Sequence, residues 1–95
     1  MVPDLSKITG ITNYQAKPEK SRTLYQKDGK TFLVVNKNTI EVRCDKELSN
    51  TLQEKYESVM ESRYFGQGGI EIVLANQLSL EELEDLIRLS YNLTI

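Results

Sequence analysis

The sequence predicts an α+β fold, a two-layer sandwich in which an antiparallel sheet of about five strands carries helices on one face. The first observation is an alternation of apolar and polar residues with a period of two between residues 21 and 44, interrupted by short turns. The second is helical spacing of apolar residues after Asp45 and again after Ser79. Strands joined by tight turns pair antiparallel, and helices that follow them cover one sheet face.

The first strands form a predicted hairpin. Residues 22–27 and 30–36 flank Asp28-Gly29, a dipeptide that favours positive φ at both central turn positions. A turn at 36–38 leads to a third strand at 39–44. On that strand Ile40, Val42 and Cys44 share one face, which is therefore expected to be buried.

The strand at 31–36 is apolar on both faces, because Phe32 and Val34 alternate with Leu33 and Val35. Such a strand needs cover on both sides. The N-terminal segment or a second subunit could supply it.

Two helices are predicted from caps and apolar stripes. Asp45 is the expected N-cap of a helix over residues 46–57, and Ser79 with Glu82 forms a capping box ahead of a C-terminal helix. Between them the sequence predicts a strand at 63–65, a glycine-rich turn at 66–69 and a strand at 70–74.

The first 20 residues are expected to be loosely structured. Leu5, Ile8 and Ile11 allow a short helix after Pro3 and Asp4, which Gly10 would end. Residues 17–20 are a polar break.

Length and composition predict a single soluble domain spanning residues 1–95. The chain has 39% hydrophobic and 27% charged residues, and the stretch from Met1 to Asp4 lacks the pattern of a signal peptide. No apolar run is long enough to cross a membrane. With Cys44 as its one cysteine, the chain is expected in the cytosol, without contact to membranes.

The residue types needed for catalysis are scarce. The chain has no histidine, which excludes a Ser-His-Asp or Cys-His arrangement and removes the commonest metal ligand. Cys44 is expected in the core, and the acidic cluster at 81–85 suits the first turns of a helix. The glycines at 66–69 lack the Lys-Ser/Thr of a phosphate loop. We therefore expect no enzyme, cofactor or metal.

Charge is distributed unevenly along the chain. Residues 1–46 carry nine basic and five acidic side chains, and residues 47–95 carry three basic and nine acidic ones. Basic residues at the predicted hairpins are candidate phosphate contacts, although lysines also keep sheet edges soluble. These candidates are Arg22, Lys27, Lys30, Lys37 and Arg63.

Three stretches resemble the MmcQ/YjbR-like proteins. They are the strand pair at 27–35, the strand-to-helix junction at 42–48, and the closing helix at 80–93 with its Ser90-Tyr91 pair. The resemblance implies a small antiparallel sheet backed by helices, similar to a double-wing arrangement that is often labelled DNA-binding. It is also similar in outline to secretion-chaperone-like sandwiches that bind proteins. This chain differs in having a shorter first helix and no tryptophan.

Two functions remain open at this point. One is a nucleic-acid-binding module that uses the basic hairpins, with DNA as the expected partner. The other is a protein-interaction or self-associating module that uses an open sheet face or an edge strand. The second predicts an exposed apolar patch that includes Tyr25, Leu33 or Val35.

Overall fold

The α+β architecture is confirmed, and residues 3–95 form six strands in one antiparallel sheet and two α-helices. The structure, a computed structural model, describes residues 3–95, so residues 1 and 2 of the predicted domain lie outside it. A short 3₁₀ turn at Leu5–Lys7 precedes the sheet. The elements are β1 (Gln15–Pro18), β2 (Thr23–Lys27), β3 (Lys30–Val35), β4 (Thr39–Arg43), α1 (Lys46–Lys55), β5 (Val59–Ser62), β6 (Gly66–Val73) and α2 (Leu80–Leu93).

The strand order across the sheet is β1-β2-β3-β4-β6-β5, and each neighbouring pair is antiparallel. The helix α1 packs on β5 and β6, whereas α2 packs on β3 and β4. We call this side the helix face and the opposite side the outer face. The strand β1 forms one edge of the sheet. It was not predicted, because residues 17–20 suggested a break.

The predicted β2–β3 turn and the two predicted helix caps are confirmed. Asp28 and Gly29 both have positive φ, 51° and 82°, at the β2–β3 turn. Asp45 caps α1 by accepting from the Leu48 amide, and Ser79 and Glu82 form the predicted capping box of α2.

A β-bulge explains how the doubly apolar strand β3 is accommodated. Tyr25 pairs with Leu33 and Gln26 with Thr31, so Phe32 is an extra residue in the ladder. Phe32 and Leu33 consequently both belong to the core under the helices. Val34 is buried on the outer face.

The N-terminal segment supplies part of the cover on the helix face. Leu5, Ile8 and Ile11 are buried in the same core as β3, with Tyr14 packed edge-on against Tyr25. Leu33 is fully buried, and Tyr25 and Val35 are half-buried against this core. The exposed apolar patch expected at Tyr25, Leu33 or Val35 is therefore wrong for Leu33, because Leu33 lies opposite Val42 under the helices.

Ser90 joins α2 to the sheet at the bulge. Its hydroxyl donates to the Phe32 carbonyl at 2.6 Å and accepts from the Arg43 amide at 2.7 Å. These two main-chain groups lie just beyond Leu33 and Val42, the last residues that pair between β3 and β4. Tyr91 packs its ring on Phe32, and its hydroxyl bonds the main chain of Asn13. The Ser90-Tyr91 pair thus ties helix, sheet and N-terminal segment together.

The connection between β5 and β6 differs from the prediction. The predicted strand at 63–65 is a turn, and the predicted turn at 66–69 is the first half of β6. Gly66, with φ of 63°, starts that strand. A side chain at Gly69 would place its Cβ 2.5 Å from the Val42 carbonyl oxygen and 2.7 Å from the Phe65 Cβ. The glycines therefore serve close packing as well as turning.

Cys44 lies in the core, as the alternation in β4 predicts. Burial raises the pKa of its thiol to about 11, aided by the charge of Asp45 and opposed by a hydrogen bond with Ser49. The thiol is thus protonated at neutral pH and unsuited to nucleophilic attack. Among the residues described here, no helix is long and apolar enough to cross a membrane.

Candidate functional site

The outer face of the sheet has a polar centre. Glu41 and Glu71 pair across β4 and β6 and are each 2% exposed, next to Val34 of β3. Two adjacent buried carboxylates repel each other and lose hydration, so each requires strong hydrogen bonds. Their partners come from the turns around this face.

Glu41 anchors the connection Arg63–Phe65 across the outer face. One of its oxygens accepts hydrogen bonds from the Tyr64 amide at 2.9 Å and from the Ser62 hydroxyl at 2.8 Å. The other oxygen accepts a hydrogen bond from the side-chain amide of Asn36 at 2.9 Å. The carboxylate therefore joins β4, the β3–β4 turn and the β5–β6 connection.

These hydrogen bonds determine the ionisation of Glu41. Burial acts to raise the pKa of the carboxyl, but the bonds from Asn36, Tyr64 and Ser62, with the charge of Arg63, outweigh it. The net effect is a pKa below the ordinary value. Glu41 is accordingly ionised at neutral pH despite its burial.

Glu71 anchors Arg63. It accepts two bonds from the guanidinium, at 2.9 Å from Nε and 2.7 Å from Nη2, and a third from the Thr39 hydroxyl at 2.7 Å. The Arg63 side chain is 75% exposed although its partner is buried. Its Nη1 donates to no protein group within residues 3–95 and is therefore available to a ligand.

An aromatic and cationic stack lies beside this ion pair. The Arg22 guanidinium carbon lies 5.2 Å from the centre of the Tyr64 ring, and Tyr64 meets Phe65 edge-on at 4.9 Å. Arg43 lies over Phe65 at 4.9 Å. The Tyr64 hydroxyl is 3.1 Å from that of Thr31. The stack fixes Arg22 and Tyr64 at the surface, where Tyr64 remains 38% exposed.

A cleft of about 380 Å³ opens between these elements, and we call it the basic cleft. It is lined by Ser21, Arg22, Asn36, Lys37, Glu41 and Arg63. Three cations surround it, and Lys37 forms no hydrogen bond or ion pair with residues 3–95. Arg22 uses Nε for Glu19 and keeps both terminal nitrogens available. Available donors around a concavity suit an anion.

The structure brings together three of the five predicted site residues. Arg22, Lys37 and Arg63 line the basic cleft. Lys27 and Lys30 lie at the opposite end of β3, beside the β2–β3 turn. They are positioned against the end of α2 and not at the cleft.

Intramolecular contacts occupy those two lysines. Lys27 Nζ donates to the Tyr91 carbonyl at 3.2 Å and lies 4.4 Å from the centre of the Tyr91 side-chain ring. Lys30 donates to the main-chain oxygen of Ile95. Cations at a helix C-terminus are favoured by the helix dipole, so these lysines stabilise the fold.

Three further residues near the cleft were not predicted as site residues from the sequence. Lys17 pairs with Leu24 in the β1–β2 register and therefore stands on the outer face, and Lys20 lies in the turn next to Ser21. Tyr64 is the third residue, and it was not among the predicted site residues. The available signal was the basic spacing of Lys17, Lys20 and Arg22, which the presumed break concealed.

The arrangement offers cationic groups and an aromatic surface. Within residues 3–95 no three His, Cys, Asp or Glu side chains lie close enough to hold a metal ion. The two carboxylates of the outer face are fully engaged in hydrogen bonds. Comparisons with known proteins give no match to a family model, a curated protein or a solved structure.

Proposed function

We propose that this protein is a nucleic-acid-binding module that holds backbone phosphates in the basic cleft. The observation that carries the proposal is the convergence of Arg22, Lys37 and Arg63 from three separate connections onto one concave surface. Guanidinium groups with unused donors match the geometry of phosphate oxygens. The contacts expected are with the backbone, which carries no base identity.

The charge distribution supports this proposal. The outer face and the turns around the basic cleft carry six cations, counting Lys17, Lys20 and Arg43 with the cleft residues, against three carboxylates, those of Glu19, Glu41 and Glu71. The acidic residues 81–85 belong to α2 on the helix face. A polyanion would consequently be attracted to one face and repelled by the other.

The resemblance to MmcQ/YjbR-like proteins also supports a nucleic-acid ligand. The proposed surface differs from a wing-like use of hairpin tips, because Lys27 and Lys30 are engaged with the end of α2. Affinity in the range of non-specific binding, about 10⁻⁴ to 10⁻⁶ M at physiological salt, is expected from so few phosphate contacts.

The test is fluorescence anisotropy of labelled oligonucleotides with a charge-reversal pair. Lys17→Glu with Lys37→Glu changes two exposed lysines of the outer face, neither of which has a protein partner within residues 3–95. We expect binding to fall at least tenfold, because two phosphate-attracting charges become repulsive. Folding should be preserved, since both residues are exposed.

A matched control separates local contacts from net charge. Lys7→Glu with Lys46→Glu makes the same change in net charge on the opposite side of the molecule. This control should bind within about threefold of the original protein, because salt screens distant charges. Equal losses in both pairs, or unchanged affinity in the first, would contradict the proposed function.

A second candidate function is protein interaction, favoured by an apolar groove on the helix face. The groove, about 200 Å³, is lined by Leu52, Tyr56, Leu78, Glu82, Asp85 and Leu86. The edge strands are less suitable, because β1 carries Lys17 and Pro18 and both edges are four residues long. Sedimentation over a concentration series tests self-association, and a monomer throughout the range would oppose that form of it.

A further inference from the structure

We propose that the basic cleft takes single-stranded nucleic acid, with a phosphate between Arg63 and Lys37 and an adjacent base stacked on the Arg22–Tyr64 pair. This inference rests on the proposed function and adds the class of ligand to it. DNA and RNA single strands share this chemistry, and the experiment below compares them.

The Arg22–Tyr64 pair is a preformed stacking surface. Arg22 is held by Glu19 at 2.8 Å and by the Tyr64 ring, and Tyr64 is held by Glu41 through its amide and by Phe65 through its ring edge. Both side chains are 38% exposed. A planar base can stack on a guanidinium or an aromatic ring at little entropic cost when the platform is already ordered.

The phosphate donors lie next to that platform. Arg22 lines the cleft and also covers Tyr64, so one residue links the two halves of the site. Arg63 keeps Nη1 for a ligand while Glu71 fixes its orientation through the other two nitrogens. A nucleotide spans the short separation between a phosphate and its own base, which matches this adjacency.

The shape of the surface disfavours a duplex. Duplex readers insert a helix or a β-ribbon into a groove. Here both helices lie on the opposite face, and the β2–β3 turn is held against the end of α2 by Lys27 and Lys30. Base faces in a duplex are also stacked on each other and closed to Tyr64, whereas those of a single strand are open.

The experiment compares four labelled ligands by anisotropy at low salt. They are oligodeoxythymidylate and oligouridylate of about twelve nucleotides, a DNA duplex of equal length, and an abasic strand with the same phosphates. We expect the two single strands to bind similarly, and more tightly than the duplex and the abasic strand by about fivefold or more.

Substitution of the platform provides the second arm. Tyr64→Leu removes the ring, and we expect single-strand affinity to fall about 5- to 150-fold, the range for loss of one stacked base. Binding of the abasic strand should change little. Tyr56→Leu, the same substitution on the helix face, is the matched control.

A fluorescent variant keeps the inference testable if Tyr64→Leu does not fold. The chain has no tryptophan, so Tyr64→Trp places a single indole on the platform. Single strands should quench its emission by stacking, and the abasic strand should not.

The outcomes separate the two proposals. Equal binding of the abasic and base-bearing strands, with no quenching, would overturn the stacked base but leave phosphate binding intact. Tighter binding of the duplex would likewise overturn the single-strand inference alone. Failure of all four ligands to bind would overturn both.

Discussion

Gly69 shows how a single residue is constrained by close packing and not by backbone conformation. An added Cβ would lie 2.5 Å from the Val42 carbonyl oxygen, which belongs to the neighbouring strand and cannot move away alone. We expect Gly69→Ala to lower the free energy of unfolding by about 1–3 kcal/mol.

Gly68→Ala is the matched control for that substitution. Its added Cβ would come no closer than 3.5 Å to the Phe65 carbonyl oxygen. It should be neutral or slightly stabilising, because alanine restricts the unfolded chain. Urea unfolding of both variants measures the difference, and equal stabilities would show that the contacts of Gly69 relax without cost.

Glu41 makes the stability of the fold depend on pH. Its folded pKa lies below the ordinary value of 4.5, so the unfolded state binds the proton more readily. The stabilisation is therefore complete above about pH 4.5 and is lost as the pH falls through the folded pKa. Glu41→Gln keeps the shape of the side chain but places an amide NH₂ group, itself a donor, among three hydrogen-bond donors. We expect this substitution to lower the free energy of unfolding by about 1–3 kcal/mol at pH 7.

The pH profile distinguishes this effect from simple loss of packing. The difference between the original protein and Glu41→Gln should shrink when urea unfolding is repeated below pH 4. Glu61→Gln, at an exposed carboxylate of β5, is the control and should leave the free energy of unfolding unchanged at pH 7. A constant difference at all pH values would argue against an ionised Glu41 in the fold.

Residue-level signals with a local cause were visible in the sequence. The caps at Asp45 and Ser79 and the turn at Asp28-Gly29 depend on neighbours a few positions away. Glu41 did not show its role, because the donors that justify a buried carboxylate come from 36, 62 and 64. The alternation in β4 correctly places Glu41 on the face opposite Ile40 and Val42, but it does not show that Glu41 is buried.

At the scale of elements, the attachment of α2 depends on one hydroxyl. Ser90 is fully buried and supplies partners to the Phe32 carbonyl and the Arg43 amide. Ser90→Ala would leave both without a partner, and we expect a loss of about 2 kcal/mol or more in the free energy of unfolding.

Thermal or urea unfolding of Ser90→Ala measures this loss. Ser21→Ala, at an exposed serine in the β1–β2 turn, is the control and should change stability by less than about 0.5 kcal/mol. A similarly small change for Ser90→Ala would mean that the Phe32 carbonyl and the Arg43 amide find other partners without the Ser90 hydroxyl.

Elements were predictable where the period of apolar residues stays regular. The helices and the strands β2, β3 and β4 follow from it. The bulge at Phe32 shifts the period inside β3, so Phe32 joins Leu33 under the helices. The sequence placed Phe32 with Val34, which is buried on the outer face. The edge strand β1 was hidden because Pro18 and its charged neighbours are tolerated at an edge but resemble a loop.

At the scale of the whole molecule, the charge asymmetry of the sequence becomes an asymmetry between layers. The basic first half supplies most of the outer face, and the acidic second half supplies α2. Arg63 belongs to the second half of the chain but lies on the outer face, because the β5–β6 connection places it beside Glu71. The convergence of Arg63 with Arg22 and Lys37 could not be predicted from sequence, because it depends on the buried anchors Glu41 and Glu71.

This arrangement predicts the salt dependence of binding. A single strand that contacts Arg22, Lys37 and Arg63 neutralises about three phosphates, so log affinity against log salt should have a slope of about −2. Lys37→Glu should make the slope shallower, because one phosphate contact is lost, whereas Lys46→Glu on the helix face should leave it unchanged. Anisotropy titrations between about 50 and 200 mM salt measure both slopes. A slope near zero would show that phosphates do not enter the cleft, whatever the affinity, since counterion release accompanies every phosphate contact.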